Sequence, residues 1–520
     1  MLPSRALSRC GISARPASGW LTTPLAVLAG ALVPFSLAPF NLWPLGLLGV
    51  TGLALLLQEQ SAARAWWRAL LFGLGFYTLG TSWVYVSIHG YGNASVPLAL
   101  LLTGLFVAFM ALVFSLPFYI YGRWFSRHPL GLLSAFPALW LLGEWLRSWL
   151  LTGFPWLYLG YGHLDTWLAG WAPVVGVMGL SLILCLTAGL IAYWLQFLFC
   201  RRQERQDRRP SRISLLLLLL WPLGLALKPV DWTHPQGSPL SLGMVQPNIP
   251  QELKWDPAFV QPTLDRLKSL SEALWDKDLI IWPEAAIPQV YHQMQPFMEE
   301  LEVQARASQT GLISGIIYDD LSAGQGWVYH NTLVGLGDAQ GLYHKQRLVP
   351  FGEYMPLEVW LRGLIDFFDL PTSIITPGPA QQTGLQLGEL NIAPFICYEI
   401  VYPDQVARDA RGSQLLLTVS NDAWFADSIG PLQHLQMAQM RALETGRDLA
   451  RGTNNGVSAL VDHKGRIKAR GAQFVEETLS GELQPRTGLT PFMRWGTWPV
   501  LILALVLLAL ARRRTPDAEC

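Results

Sequence analysis

Apolar residues in this chain follow two regimes. Up to about residue 230, and again close to the end, they run on without a break for roughly a bilayer's thickness at a time; between 230 and 490 they come in short blocks separated by polar turns. The long runs lie at about 21–40, 43–58, 69–88, 96–122, 132–152, 173–199, 213–229 and 496–511. A helix needs about 20 apolar residues to cross the hydrocarbon core. The pattern therefore predicts an α-helical membrane domain of eight transmembrane helices, the second, seventh and eighth on the short side. Arg5, Arg9 and Arg15 precede the first run, as in a secretory signal, but the run continues past any cleavage point and reads as a retained anchor.

Basic residues orient the spans, because Lys and Arg concentrate in cytoplasmic loops. With the N-terminus inside, the inside segments carry Arg5, Arg9 and Arg15; Arg64 and Arg68; Arg123 and Arg127; Arg201, Arg202, Arg205, Arg208, Arg209 and Arg212; and Arg512, Arg513 and Arg514. The outside loops near 41–42, 89–95 and 153–172 carry none. Eight spans with both termini cytoplasmic satisfy this asymmetry, and seven would break it. The domains are then 1–229 (helices one to seven), an external domain at 230–490, and 491–520 (helix eight and a cytoplasmic tail).

In the external segment, β-periodic blocks predict strands at Ser241–Gln246, Leu279–Trp282, Leu312–Tyr318, Asn331–Leu336, Ile392–Ile396, Leu415–Val419 and Val457–Val461. Helical spacing falls at Ala258–Leu274, Pro296–Gln309 and Leu432–Arg451. Strands alternating with helices argue a layered α/β domain. Composition agrees with a membrane protein: only 14% of residues are charged, and 23 are Trp, a residue that favours bilayer interfaces. The net charge is zero, yet 231–490 holds 30 of the 37 acidic residues and only 18 of the 37 basic ones, which excludes nucleic acid as a partner for that domain.

The topology gives meaning to the cysteines. Cys10, Cys200 and Cys520 fall inside and Cys185 within the sixth run, so Cys397 is the one expected outside, without a disulfide partner. A short apolar strand, Pro394-Phe395-Ile396, ends at this thiol, and a polar turn, Tyr398-Glu399, follows. Such an elbow exposes the sulfur and aims backbone N–H groups at it, which favours thiolate. Glu284 follows another buried strand in Ile281-Trp282-Pro283-Glu284, where partial burial would raise its carboxyl toward the range useful to a general base. Lys345, in Tyr343-His344-Lys345-Gln346-Arg347-Leu348-Val349-Pro350-Phe351-Gly352-Glu353, could set an ammonium beside the thiol, favouring thiolate and stabilising an oxyanion.

Trp-Pro-Glu after a strand, Tyr-x-Lys leading into Leu-Val-Pro-Phe-Gly-Glu, and Ile-Cys-Tyr-Glu together resemble the three catalytic motifs of the nitrilase superfamily. With membrane spans on both sides they resemble the apolipoprotein N-acyltransferases. Ser420-Asn421-Asp422-Ala423-Trp424-Phe425, Gln433-His434-Leu435-Gln436-Met437 and Thr453-Asn454-Asn455-Gly456 extend the likeness along nearly the whole chain. The resemblance implies an α-β-β-α nitrilase-like domain on the periplasmic side of a bacterial inner membrane. It implies Glu284 as general base, Lys345 as oxyanion support and Cys397 as nucleophile, with Glu353 orienting Lys345 or aiding proton transfer. Tyr398, Glu399 and Trp424 match residues placed around the substrate, and Trp255 a tryptophan on a loop near the site. The implied partners are a glycerophospholipid acyl donor, a diacylated apolipoprotein acceptor and the bilayer itself.

No cofactor, metal or nucleotide motif accompanies these residues. A membrane-tethered amidase or other carbon–nitrogen hydrolase would use the same three residues with water as second substrate. A lipid-binding or transport protein with an inert external domain would not need them. In the fifth run Glu144 and Arg147 share a helix face and are expected to pair, with a lipid-headgroup contact as the alternative. The aromatic, glycine-rich stretch 153–163, His163 included, reads as an interfacial anchor that could also shape a lipid entrance.

Overall fold

The computed structural model of the chain describes residues 19–92, 94–128, 130–203, 212–321, 326–356 and 374–512. Arg5, Arg9, Cys10, Arg15, Arg205, Arg208, Arg209, Arg513, Arg514 and Cys520 lie outside these residues, as do the side chains of Cys200, Arg201, Arg202 and Arg212. The described chain forms two units. One is helical and takes the residues up to 82, then 101–230 and 497 onward; the other takes 231–496 together with 83–100.

Helix occupies every apolar run: α1 (Gly19–Leu32), α2 (Trp43–Leu56), α3 (Ala62–Gly80), α4 (Trp83–Val86), α5 (Val96–Trp124), α6 (Phe136–Arg147), α7 (Ala172–Gln203), α8 (Leu220–Leu227) and a last helix at Trp498–Arg512. By length and composition, two helices among the described residues are sufficient to cross a membrane, or up to three if α3 and the short helix after it count as one broken span. The third run is thus not the single helix 69–88 that its hydropathy predicts. Thr81 leaves the helical region at φ −120° and turns its hydroxyl back on the Tyr77 carbonyl, and α4 belongs to the other unit. Helices α1 and α3 meet backbone to backbone: a Cβ at Gly75 would lie 2.0 Å from the Val27 carbonyl oxygen. Small residues permit this close approach where no hydrophobic drive separates helix from lipid.

Two expectations in this unit are corrected. Glu144 and Arg147 are buried but form no ion pair with each other among the described residues. Glu144 accepts from the Trp140 indole and the Leu159 amide, both at 3.1 Å, while Arg147 bonds the Trp156 carbonyl and lies over the Tyr77 and Tyr158 rings. The returning chain at 154–160 supplies better-placed partners than the helix neighbour does. That stretch is correspondingly no surface anchor, for Trp156, Tyr158, Tyr161 and His163 are all buried.

The second unit holds two facing sheets. The first runs β15 (Glu477–Leu483), β2 (Leu240–Gln246), β3 (Leu279–Ile281), β5 (Gly311–Asp320), β6 (Val328–Gly337) and β8 (Leu342–His344), with β4 (Ile287–Val290) beside β5. The second runs β14 (Ile467–Arg470), β13 (Ala459–Val461), β12 (Leu449–Thr453), β11 (Leu415–Ser420), β10 (Leu390–Ile396), β9 (Leu385–Leu387) and β7 (Ala339–Gln340). Each sheet has a parallel centre, β2–β3–β5 and β10–β11–β12. A small pair, β1 (His234–Pro235) and β16 (Arg486–Thr487), closes the unit's ends.

Alternation along the strands sorts their side chains into two cores. Met244, Ile281 and Ile313 point inward to meet Ile396, Leu417 and Val419 of the opposite sheet. Val245, Ile280, Trp282 and Leu312 point outward to bury α9 (Val260–Ser271) and α10 (Gln295–Ser308) through Leu264, Leu267, Met298 and Leu301. In the second half, α11 (Pro403–Asp409) follows the β10 turn and α12 (Gly430–Thr445) packs on β12. The helix expected over Leu432–Arg451 in fact ends at Thr445. Gly446 caps it in the left-handed region at φ +61°, which costs a glycine nothing, and Leu449–Arg451 start β12.

Candidate active site

Three loops converge, two leaving the parallel centres after β3 and β10 and the third following the antiparallel edge strand β8. Glu284 stands in the turn after β3, where Pro283 ends strand pairing and Ala285 takes φ +43°. Gly315 of β5 lies against this turn: a Cβ there would come within 2.4 Å of the Ala285 nitrogen and 2.5 Å of the Pro283 carbonyl oxygen. Lys345 follows β8, its amide bonded to the Asn331 carbonyl (2.8 Å) and its carbonyl accepting from the Gly378 amide (2.8 Å). Cys397 follows β10 at φ +52° and opens a short helical turn, Cys397–Val401. A non-glycine residue in that region costs roughly 1–2 kcal/mol, so the surrounding structure must impose it.

Lys345 is 1% exposed, and its Nζ donates to Glu353 Oε1 at 2.9 Å and Glu284 Oε1 at 3.2 Å. The Asn331 amide donates to the same two oxygens, at 2.8 Å for Glu284 and 3.0 Å for Glu353. Glu284 Oε2 accepts from the Asn421 backbone N–H at 2.8 Å, and Glu353 Oε2 from that of Val349 at 2.9 Å. Every carboxylate oxygen of the cluster is thereby occupied. Among the described residues no hydrogen bond joins the Cys397 thiol to Glu284 or Lys345, and the thiol is coupled to both through charge.

Electrostatics corrects the sequence reading at two points. Burial acts to raise Glu284, but Lys345 and Lys254, helped by the Asn331 and Asn421 bonds, outweigh it and hold the carboxyl below its ordinary range. Burial likewise acts against the Lys345 ammonium, and Glu284 and Glu353 more than restore it, raising its pKa. Burial, then the Glu284 charge, push the Cys397 thiol well up; Lys345 pulls it down without prevailing. The resting site is therefore carboxylate, ammonium and neutral thiol. The raised carboxyl and the favoured thiolate expected from sequence are both absent.

Glu399 is fully buried and ties the cysteine turn to the lysine loop. It accepts from the Ile396 amide (2.8 Å), the Gln346 amide (2.6 Å), the Arg347 amide (3.2 Å) and the Tyr343 hydroxyl (3.0 Å). Burial raises its carboxyl to about 7 against the pull of these donors. Tyr398 is buried edge-on to Tyr402, with ring centroids 5.3 Å apart. Trp424 sits in the turn Asp422–Phe425, where its carbonyl accepts from the Ser87 hydroxyl at 2.8 Å and its ring meets Tyr91 edge to face at 5.7 Å. Trp255 is 40% exposed, beside the buried Lys254.

The chain's relatives can be set beside this geometry. Residues 29–190 match the family described as Apolipoprotein N-acyltransferase N-terminal domain, and 241–492 match Carbon-nitrogen hydrolase. A protein named apolipoprotein N-acyltransferase from Azotobacter vinelandii is 48% identical over 507 residues, 96% of this chain and 97% of its own. The chain belongs to the apolipoprotein N-acyltransferase family. Proteins of that name from Pseudomonas aeruginosa (48% identical, 95% of this chain and 96% of theirs) and Pseudomonas putida (46%, 95% and 97%) are similar to it over the same span. The carbon–nitrogen hydrolase match contains Glu284, Lys345, Glu353 and Cys397.

Three features of this acyltransferase's site escaped sequence reasoning. Lys254 is 4% exposed and donates to the Glu284 carbonyl oxygen at 3.0 Å. Burial lowers its ammonium to about 8, against the pull of Glu284 and Cys397. Asn331 bridges the two carboxylates; a polar residue at the start of an apolar strand was its only signal. The segment 83–92, which reads as the end of a membrane run, packs Trp83 on Phe425 (4.8 Å between centroids) and Tyr91 on Trp424.

Proposed function

We propose that this acyltransferase works through a thioester on Cys397, moving a fatty acyl group from a glycerophospholipid to the α-amino group of a lipoprotein's S-diacylglyceryl-cysteine. The observation that carries the reading is the buried Lys345 held between the Glu284 and Glu353 carboxylates, with the Cys397 thiol on a strained turn in their field. Because the resting thiol is neutral, its proton leaves as the sulfur attacks the ester carbonyl, and the ionised Glu284 accepts it. The tetrahedral oxyanion forms beside the Lys345 ammonium. Its collapse breaks the ester C–O bond, and the proton on Glu284 passes to the departing lysophospholipid oxygen. The amine then attacks the thioester and gives its proton to Glu284. Cleavage of the C–S bond returns that proton to Cys397, and the amide leaves. Glu353 and Glu399 position the Lys345 and Cys397 loops; Tyr398, Trp424 and Trp255 surround the substrate.

Both substrates are lipid-anchored, which gives the apolar helices their purpose. The full reading has eight spans, a periplasmic catalytic unit and both termini in the cytoplasm of a bacterial inner membrane. It is supported by helix in every apolar run and by the lack of Lys and Arg in the short outside loops near 41–42, 89–95 and 153–172. Intact-mass spectrometry of the full chain after incubation with phospholipid vesicles tests the chemistry. Wild type gains a fatty-acyl mass that neutral hydroxylamine removes, and Cys397→Ser gains no such adduct. Release of free fatty acid without an adduct, with cleavage of small amides, would instead identify a tethered hydrolase.

A further inference from the structure

Three ionisable side chains that the acyl-transfer steps do not use are sunk beside the nucleophile. Asp422 lies in the turn after β11, His434 on α12 and Arg451 on β12, and none is more than 1% exposed. Arg451 Nη2 donates to Asp422 Oδ2 at 2.7 Å and stands 3.2 Å from His434 Nδ1. The Ser420 hydroxyl donates to Asp422 Oδ1 at 2.5 Å. On its other side the imidazole reaches the backbone of Cys397: Nε2 is 3.1 Å from that carbonyl oxygen.

A carbonyl only accepts, so Nε2 carries a proton. The ring's Nδ1 faces both members of the ion pair, 3.2 Å from Asp422 Oδ1 and 3.2 Å from Arg451 Nη2; burial, then the Arg451 charge, push the imidazolium down against the pull of Asp422. Whether Nδ1 donates to Asp422 or accepts from Arg451, the proton on Nε2 faces Cys397, and the Asp422–Arg451 pair fixes the ring from its other side. Placing an ion pair in a dry interior is unfavourable unless its partners are fixed. Here the chain of contacts ends on the one peptide unit whose left-handed turn aims the thiol.

We infer that His434 is a positioning residue for the nucleophile: its Nε2–H clamps the Cys397 carbonyl and holds the elbow, while Asp422 and Arg451, both at Nδ1, fix the orientation of the ring. Released from the clamp, the peptide after Cys397 relaxes toward ordinary backbone angles and the sulfur swings off the line of attack. The inference rests on Cys397 as the nucleophile, so its test includes a reaction that needs no acyl transfer.

The full-length protein is assayed as wild type, His434→Gln, which keeps an N–H near the Nε2 position, and His434→Leu, which fills the space without a donor. Acylation of Cys397 by phospholipid vesicles is followed by mass, and alkylation of Cys397 by iodoacetamide through its peptide. His434→Leu is expected to acylate about 100-fold more slowly at saturating lipid, the scale of a small misplacement of reacting atoms. Its half-saturating lipid concentration stays unchanged, its alkylation is slowed as well, and His434→Gln recovers most of both rates. A role in folding alone would lower the melting temperature and the active fraction while leaving the rate per active site intact. Should His434→Leu show no cooperative melting, His434→Asn takes its place, since its shorter amide keeps the Asp422 side and falls short of Cys397. A folded donor-less variant reacting at the wild-type rate overturns the inference, as does a folded His434→Gln that is equally slow. If wild type takes no acyl group while the alkylation rates follow this order, the acyl-transfer reading fails and the clamp stands.

Discussion

Replacing Lys345 with Met removes a charge while nearly preserving volume. The wild-type ammonium is 1% exposed and lies 2.9 Å and 3.2 Å from the two carboxylates. Deleting one partner of a buried ion pair costs about 3–5 kcal/mol, because the other charge is left without compensation. Asn331 goes on donating to both carboxylates, which places the loss near the lower end, about 3 kcal/mol. For a unit of this size that corresponds to a melting temperature lower by about 6–12 °C.

The sign of the pH dependence follows from the carboxyls. In wild type Glu284 is held below its ordinary value, with burial opposed and Lys345 the foremost of the stabilising charges. A depressed carboxyl contributes stability above its unfolded pKa and loses it as pH falls through the folded value. In the variant, two buried carboxylates face each other without the cation, and a proton bound by either relieves them. The gap between wild type and variant is therefore widest near pH 8 and narrows on acidification, and adding Glu353→Gln restores part of the loss. Thermal unfolding of the full chain in detergent, followed by tryptophan fluorescence at a fixed scan rate, reads all three. A melting temperature within about 2 °C of wild type at pH 8, or a gap that widens as pH falls, refutes the reasoning.

Glu284→Gln keeps the shape of the cluster and abolishes proton uptake, so the acylation rate of Cys397 should fall about 10²- to 10⁴-fold with little change in half-saturating lipid. Stopped incubations analysed by mass measure this. Lys254, with its ammonium at about 8, sits below its unfolded value of about 10.4, so wild-type stability should rise as pH climbs between those values. Melting curves of Lys254→Met should lack that rise. Gly315→Ala touches no side chain of the site but drives a methyl into the backbone of Pro283–Ala285. Displacement of Glu284 should lower acylation well beyond the change in melting temperature, and an active Ala variant would contradict the packing described.

The sequence made the local motifs legible. A three-residue apolar strand stopped by Pro283 announces an acid at a strand end, and the same logic singles out Cys397 after Pro394–Ile396. Helix Gly430–Thr445 was overextended to Arg451 because the apolar spacing runs on through the cap, with Gly446 the one contrary signal. That error hid Arg451 as a strand residue facing Asp422. The charge state of Glu284 was illegible for a different reason. Its apolar approach is local, but the two lysines that overcome burial arrive from positions 30 residues before and 61 residues after it. Glu144 and Arg147 teach the same lesson from the helical unit, where loop carbonyls and amides outbid a neighbour one turn away.

The segment 83–100 has a consequence for how such a protein can be divided or inherited. It leaves the stretch between α3 and α5 to pack with the α/β unit, where Ser87 holds the Trp424 carbonyl and Trp83 and Tyr91 cover the aromatic turn. Cutting the chain at 230 and 497 would strip that turn of its cover and leave the Trp424 and Phe425 faces bare to water. The α/β unit is therefore not a portable cassette of 231–496 alone. Recombination that exchanged it alone, between distant relatives, would mismatch an eighteen-residue segment encoded more than a hundred codons upstream, so this segment and the α/β unit are bound to diverge together.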